Sequence, residues 1–217
     1  MPSSTDHATQ PALDRDVLRR YRWVQRLSRI GIALLLGVVA GALSTVVSTG
    51  LVLLSVLLLA VALLIPVFGT AGGVELRTDA DPAAVRDAFT GARPPPLAPQ
   101  WGLADEVRTA ESGAVYEFSA LLGLQTYEMV VESRAVDGGD HADALSLTVT
   151  LDDGDWATYE VETTPTDDGS RVRIEWESHR RFGLRQLPVR WAAKRYRDRL
   201  LASQGYVVVD RWDRGWV

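Results

Sequence analysis

Cysteine is absent from the 217-residue chain, which excludes disulfides, thiolate metal sites and thiol catalysis. Histidine is scarce. His7, His141 and His179 are the only three, too few for a histidine-rich metal centre. Lysine is nearly missing: Lys194 stands alone among 23 basic residues, which are outnumbered by 28 acidic ones. An acidic, lysine-poor, cysteine-free composition matches proteins of a high-salt cytoplasm, although an ordinary acidic domain from a GC-rich genome reads the same way. Charge is missing altogether from residues 30 to 69.

That uncharged run is almost entirely Leu, Val, Ala, Ile, Gly, Ser and Thr, and Ser48-Thr49-Gly50 breaks it near the middle. A hydrocarbon core of about 30 Å takes about 20 apolar residues of helix. The run therefore predicts two transmembrane helices, 30–48 and 51–69, joined by a short turn. Neither contains an ionisable residue, which argues against a transport pathway within this chain. Gly37 and Gly41 form a small-residue pair that suits close helix packing, within the hairpin or against a second copy in a homo-oligomer. A cleaved secretory signal would be shorter and closer to the start.

Residues 1–12 are polar and are expected to form a disordered tail. Leu13, Val17, Tyr21, Val24 and Leu27 recur at helical spacing, so 13–29 reads as a basic juxtamembrane helix. Arg15, Arg19, Arg22, Arg26 and Arg29 line its other faces, with Arg20 beside them. Positive flanks stay in the cytoplasm. The expected location is the cell membrane, multi-pass, with the N-terminus and the region after the spans both cytoplasmic, and the lipid bilayer is the first expected partner.

Residues 73–217 are enough for one domain. Gly69 to Gly73 looks like a flexible exit from the membrane. Val74 to Thr78 alternates like a strand, and Asp81-Pro82 caps a short helix that buries Val85 and Phe89. Four prolines between 91 and 100 suggest an irregular loop. Beyond 103 the period becomes two, through Tyr116 and Phe118, Tyr127 to Val131, Leu145 to Leu151, Ala157 to Val161, and Val172 to Trp176. Asp- and Gly-rich turns separate these runs. The pattern is an antiparallel meander with one apolar face. A helix over 187–204 covers that face, with Pro188 in its first turn and Gly205 as its C-cap. Val189, Ala192, Ala193, Tyr196 and Leu200 would be its buried stripe. Tyr206 to Val209 reads as one more strand, at a sheet edge. The fold class is α+β.

This order resembles the START-like (SRPBCC) helix-grip superfamily of polyketide cyclase and lipid-transfer domains. Two stretches carry the resemblance, Val74 to Phe89 as an opening strand and Asp/Pro-capped helix, and Thr158 to Arg173 as a late hairpin with a Pro-x-x-x-Gly turn. It covers roughly 73–205. The membrane hairpin and the strand after the closing helix depart from the usual pattern. The resemblance implies a curved sheet gripping the long helix around an apolar cavity, which would bind an apolar or lipid-like ligand. Residues expected to line it are Tyr116, Phe118, Tyr127, Met129, Leu147, Val149, Tyr159, Ile174 and Trp176, faced by Tyr196. The same residues would equally build a solid core, making the domain a membrane-tethered structural or interaction protein.

Residues 101–168 carry sixteen acidic and two basic side chains, whereas 180–199 carry eight basic ones. Arg190, Lys194 and Arg197 are expected on the outer face of the closing helix, against anionic headgroups. The net acidity of the domain argues against nucleic acid as a partner. His179 beside Glu177 or Arg180 is the closest approach to an acid–base group, but it reads more readily as a lone surface histidine. Asp152, Asp153 and Asp155 lack calcium-loop spacing. No catalytic residue, metal or cofactor is assigned.

Overall fold

The computed structural model describes residues 49–120, 125–136, 143–183 and 196–214, with isolated helical positions at 31, 34, 37, 38 and 41. The basic segment holding Arg15, Arg19, Arg22, Arg26 and Arg29 lies outside the described residues, as does most of the 30–48 stretch. Residues 184–195, with Arg190 and Lys194, lie outside them too.

Helix α1 spans Thr49–Leu64. Its 16 residues rise about 24 Å. No helix among the described residues is long and apolar enough to cross a membrane. Leu51, Leu54, Leu57, Leu58, Leu59 and Val61 are all exposed on it, while Val52 is buried. A Cβ built at Gly37 would meet no heavy atom of the described residues within 4 Å.

The expected helix over 51–69 ends five residues early. Proline at 66 has no N–H to donate and disfavours helical backbone at Ile65. From there the chain enters β1, Pro66–Thr78, and finds hydrogen-bond partners along another strand. The expected flexible exit at 69–73 is therefore strand, and the sheet begins at 66 rather than 73.

Helix α2, Pro82–Thr90, starts as expected. The Asp81 carboxylate accepts from the Ala84 N–H, and Val85 and Phe89 face inward. The proline-rich stretch is not an irregular loop. Pro95–Leu97 form a 3-10 turn leading into α3, Ala98–Trp101, because proline is tolerated in the first turn of a helix, where its missing N–H costs nothing. Seven more strands follow: β2 Glu106–Ala110, β3 Gly113–Ala120, β4 Gln125–Val136, β5 Asp143–Leu151, β6 Gly154–Thr166, β7 Gly169–Gly183 and β8 Val207–Asp213. Residues 196–202 are helical and form the described part of the closing helix, α4.

All eight strands form one sheet in the order β2-β3-β4-β5-β6-β7-β1-β8, with every pairing antiparallel. The final strand takes the edge beside β1, where the sequence placed it. Asp152 and Asp153 both adopt positive φ, giving the β5–β6 hairpin a two-residue loop whose twist matches its strands.

Alternation sorts each strand into two faces. On the inner face Val74, Leu76, Leu145, Leu147, Val161, Val172 and Ile174 pack beneath Val85 and Phe89 of α2 and Leu201 of α4. A second cluster, Ala114, Tyr116, Met129, Val131 and Val149, is plugged by Leu97. A large antiparallel sheet with few helices on one face fits a helix-grip fold. The outer face is polar, with an ion-pair ladder joining Glu75 to Arg171 at 3.3 Å and Arg173 to Glu175 at 2.7 Å. Such exposed pairs each contribute little.

One corner projects. β6 follows β7 only as far as Ala157 opposite Ser178, and β8 follows β1 only as far as Gly72 opposite Asp213. Below these points residues 66–70 pair with the end of β7 alone, out to Pro66 opposite Gly183. Four rises make this two-stranded extension roughly 13 Å long. The register shifts between Phe68 and Thr70, where β7 carries extra residues. Arg180 and Arg181 are exposed there.

Candidate functional site

The ten residues expected to line a cavity all fall on described strands or on α4, and burial divides them. Tyr116, Met129, Leu147, Val149 and Ile174 are at most 5% exposed; they are core. Phe118, Tyr127, Tyr159, Trp176 and Tyr196 are half-buried. The division follows what lies above each residue. Leu147 and Ile174 sit in the cluster beneath α2. Tyr116 and Met129 sit under Leu97, and the Tyr116 hydroxyl donates to the Ala92 carbonyl at 3.1 Å.

Among the described residues no such plug lies over the half-buried aromatics. Cross-strand register sets Tyr159 opposite both Leu147 and Trp176, and Phe118 opposite Tyr127. Tyr159 packs against both core clusters, so it sits at their junction. The Trp176 ring lies across Gly72: a Cβ there would come within 2.8 Å of it. The Tyr127 hydroxyl donates to Gln125 Oε1 at 2.8 Å. Tyr196 packs with Ala98 and Leu200.

Two further aromatics join this wall. Trp156 falls at the register shift between Val149 and Thr150. A bulge sets an extra residue against one partner and re-aims its side chain, and Trp156 packs against the second cluster. Trp101, at the end of α3, also packs there, and its indole N–H donates to the Pro94 carbonyl at 3.1 Å. Strict alternation misses Trp156, and the proline-rich context hides Trp101. Their size and position beside turn residues were the only sequence signals.

Arg197 corrects an expectation. It does not face outward for headgroups. Its guanidinium lies over the Trp176 ring, 5.4 Å from the centroid. The reason is helical spacing: Arg197 sits one turn before the buried Leu201 and shares its face. Burial raises the Tyr159 pKa above its ordinary value, and the Arg197 charge opposes that rise. The next guanidinium along, Arg211, is ion-paired with Asp198, and burial pulls its pKa down.

His179 is not part of this wall. It lies on the outer face with its Nε2 2.9 Å from Thr158 Oγ1. Among the described residues there is no group of His, Asp and Glu that could hold a metal ion. The arrangement is an aromatic wall with phenol hydroxyls and one guanidinium.

No family model and no curated protein matches the chain. Several solved structures align with it. A protein from Mesorhizobium loti is 22% identical, covering 62% of this chain and 93% of its own, with a TM-score of 0.38. One from Chromobacterium violaceum is 19% identical, covering 61% and 96%, with a TM-score of 0.37. Ara h 8.0201 is 17% identical, covering 62% and 95%, with a TM-score of 0.38. At these scores the fold assignment rests on strand order and packing.

Proposed function

We propose that this chain is a membrane-anchored START-like module that holds an apolar or lipid-like ligand against the inner face of its sheet, at the cytoplasmic surface. The observation that carries the reading is the half-burial of Phe118, Tyr127, Tyr159 and Trp176 beside a tightly filled core. Large rings left partly open on a core-facing surface suit a ligand that completes their burial.

Anchoring is supported by α1. Its exposed leucines point in several directions, and burying such a side chain fully is worth about 1.5–3 kcal/mol. A bilayer supplies that burial. The arginines at 15–29 support an orientation with the N-terminus and the domain inside. Because α1 passes into β1 with only Ile65 between them, the module would stand over the leaflet on its two-stranded extension, with Arg180 and Arg181 nearest the headgroups.

A filled core favours a second reading, an interaction protein without ligand, and the cluster beneath α2 is the observation on its side. Native mass spectrometry of the full chain released from its membrane separates the two. A bound apolar molecule that is lost on Trp176→Ala or Tyr127→Ala supports binding. No bound molecule, and no uptake of added lipid, supports the interaction protein.

A further inference from the structure

Among the described residues Arg197 is a half-buried cation with no carboxylate in an ion pair with it. The ion pairs among the described residues leave it out. Its acidic neighbour in sequence, Asp198, is engaged by Arg211. The segment 184–195, which leads into the closing helix, contains no Asp or Glu. What the guanidinium does have is the Trp176 ring at 5.4 Å. A ring face attracts a cation, but it does not engage the guanidinium N–H donors, which lie in the plane. Those donors match the paired oxygens of a carboxylate or phosphate. Tyr159 stands directly opposite Trp176 on the neighbouring strand, close enough for the Arg197 charge to act on its phenol.

Resting on the binding reading above, we infer that the ligand is an anionic amphipath. Its carboxylate or phosphate head sits on Arg197 and the Tyr159 hydroxyl, and its apolar body lies along Trp176, Phe118 and Tyr127. The head group explains why a cation is retained on an otherwise aromatic wall. Salt-linking it to a ligand oxygen also removes the cost of half-burying an unpaired charge.

Two matched probe pairs test this on the full chain in detergent: palmitate against hexadecanol, and oleoyl lysophosphatidic acid against monooleoylglycerol. Each pair shares an apolar body and differs in head charge, and comparing the pairs separates carboxylate from phosphate. The wild-type chain is expected to bind the anionic member of at least one pair ten- to a hundred-fold more tightly. Arg197→Met should bring that ratio close to one with the neutral probe's affinity unchanged, and Arg197→Lys should restore part of it. Because the ratio is internal to each preparation, a partly misfolded variant does not mimic the result. A wild-type ratio near one, or a ratio that Arg197→Met leaves intact, overturns the inference while the binding reading stands. Failure of all four probes to bind removes the binding reading and this inference with it.

Discussion

Two adjacent glycines in β1 should respond very differently to the same added methyl group. At Gly73 a Cβ would come within 2.2 Å of the Trp212 ring. The three nearest atoms all belong to that side chain, which sits half-buried on an edge strand and can swing away. Gly73→Ala should then lose the stacking of Arg173 on Trp212, now 4.8 Å from the centroid, worth about 0.5–1 kcal/mol at an exposed site. It also loses part of the ring's contact. Stiffening of the unfolded chain returns about 0.4–1 kcal/mol, leaving a net loss of about 1 kcal/mol. At Gly72 the first atom met is the main-chain carbonyl oxygen of Trp212, at 2.6 Å, and the second belongs to Trp176, at 2.8 Å. A backbone atom cannot rotate away, so the β1–β8 ladder must shift. Overpacking of this kind costs about 1–3 kcal/mol, and with the disturbed ladder Gly72→Ala should lose about 2–3 kcal/mol. Urea unfolding of the detergent-solubilised chain, followed by tryptophan fluorescence, reads both values. Gly72→Ala must also move Trp176 and so weaken ligand retention, whereas Gly73→Ala acts on the outer face and should not. Equal losses, or a milder effect at Gly72, would refute the distinction between a yielding ring and an unyielding backbone.

Asp81→Ala removes the cap on α2 and should cost about 1 kcal/mol in the same urea assay, with an unchanged slope. Burial pushes the Tyr206 pKa from 10.0 up to about 12, so the folded state holds its proton longer than the unfolded state. Stability from this group is fully present below pH 10 and is lost as pH rises toward 12, by about 2–3 kcal/mol. Tyr206→Phe should flatten that alkaline decline in a pH series of melts. Since the chain has no cysteine, single labels report depth without background. In anionic liposomes a label on Leu57→Cys should be quenched from the hydrocarbon, one on His179→Cys from the headgroups, and one on Asp167→Cys only from water. A water-quenched label at residue 57 would sink the anchoring reading.

Much of the sheet was legible because strand periodicity is local. The alternation of Leu145, Leu147 and Val149 with Ser146 and Thr148 marks an inner face whatever lies above it, and the same holds for Val172 and Ile174. Asp81-Pro82 states its own cap for the same reason. Three features were not legible. Pro66 ends the helix after Thr49, but that residues 66–70 then continue as strand depends on β7 offering them hydrogen-bond partners, a pairing between distant segments. The prolines at 94–96 look like loop chemistry until Leu97 is seen plugging the second cluster. Trp156 joins the inner face through a bulge, which breaks the very alternation used to find the face.

The sequence by itself determined the order of elements, the two-faced character of the strands and the uncharged stretch before them, because each depends on neighbours a few residues apart. Only the tertiary structure decided which inward residues are sealed as core and which stay open, and that Arg197 turns to Trp176 instead of to solvent. Both depend on which element comes to lie over a given side chain. That is settled by the packing of segments far apart in the chain, where spacing along one strand or helix carries no information.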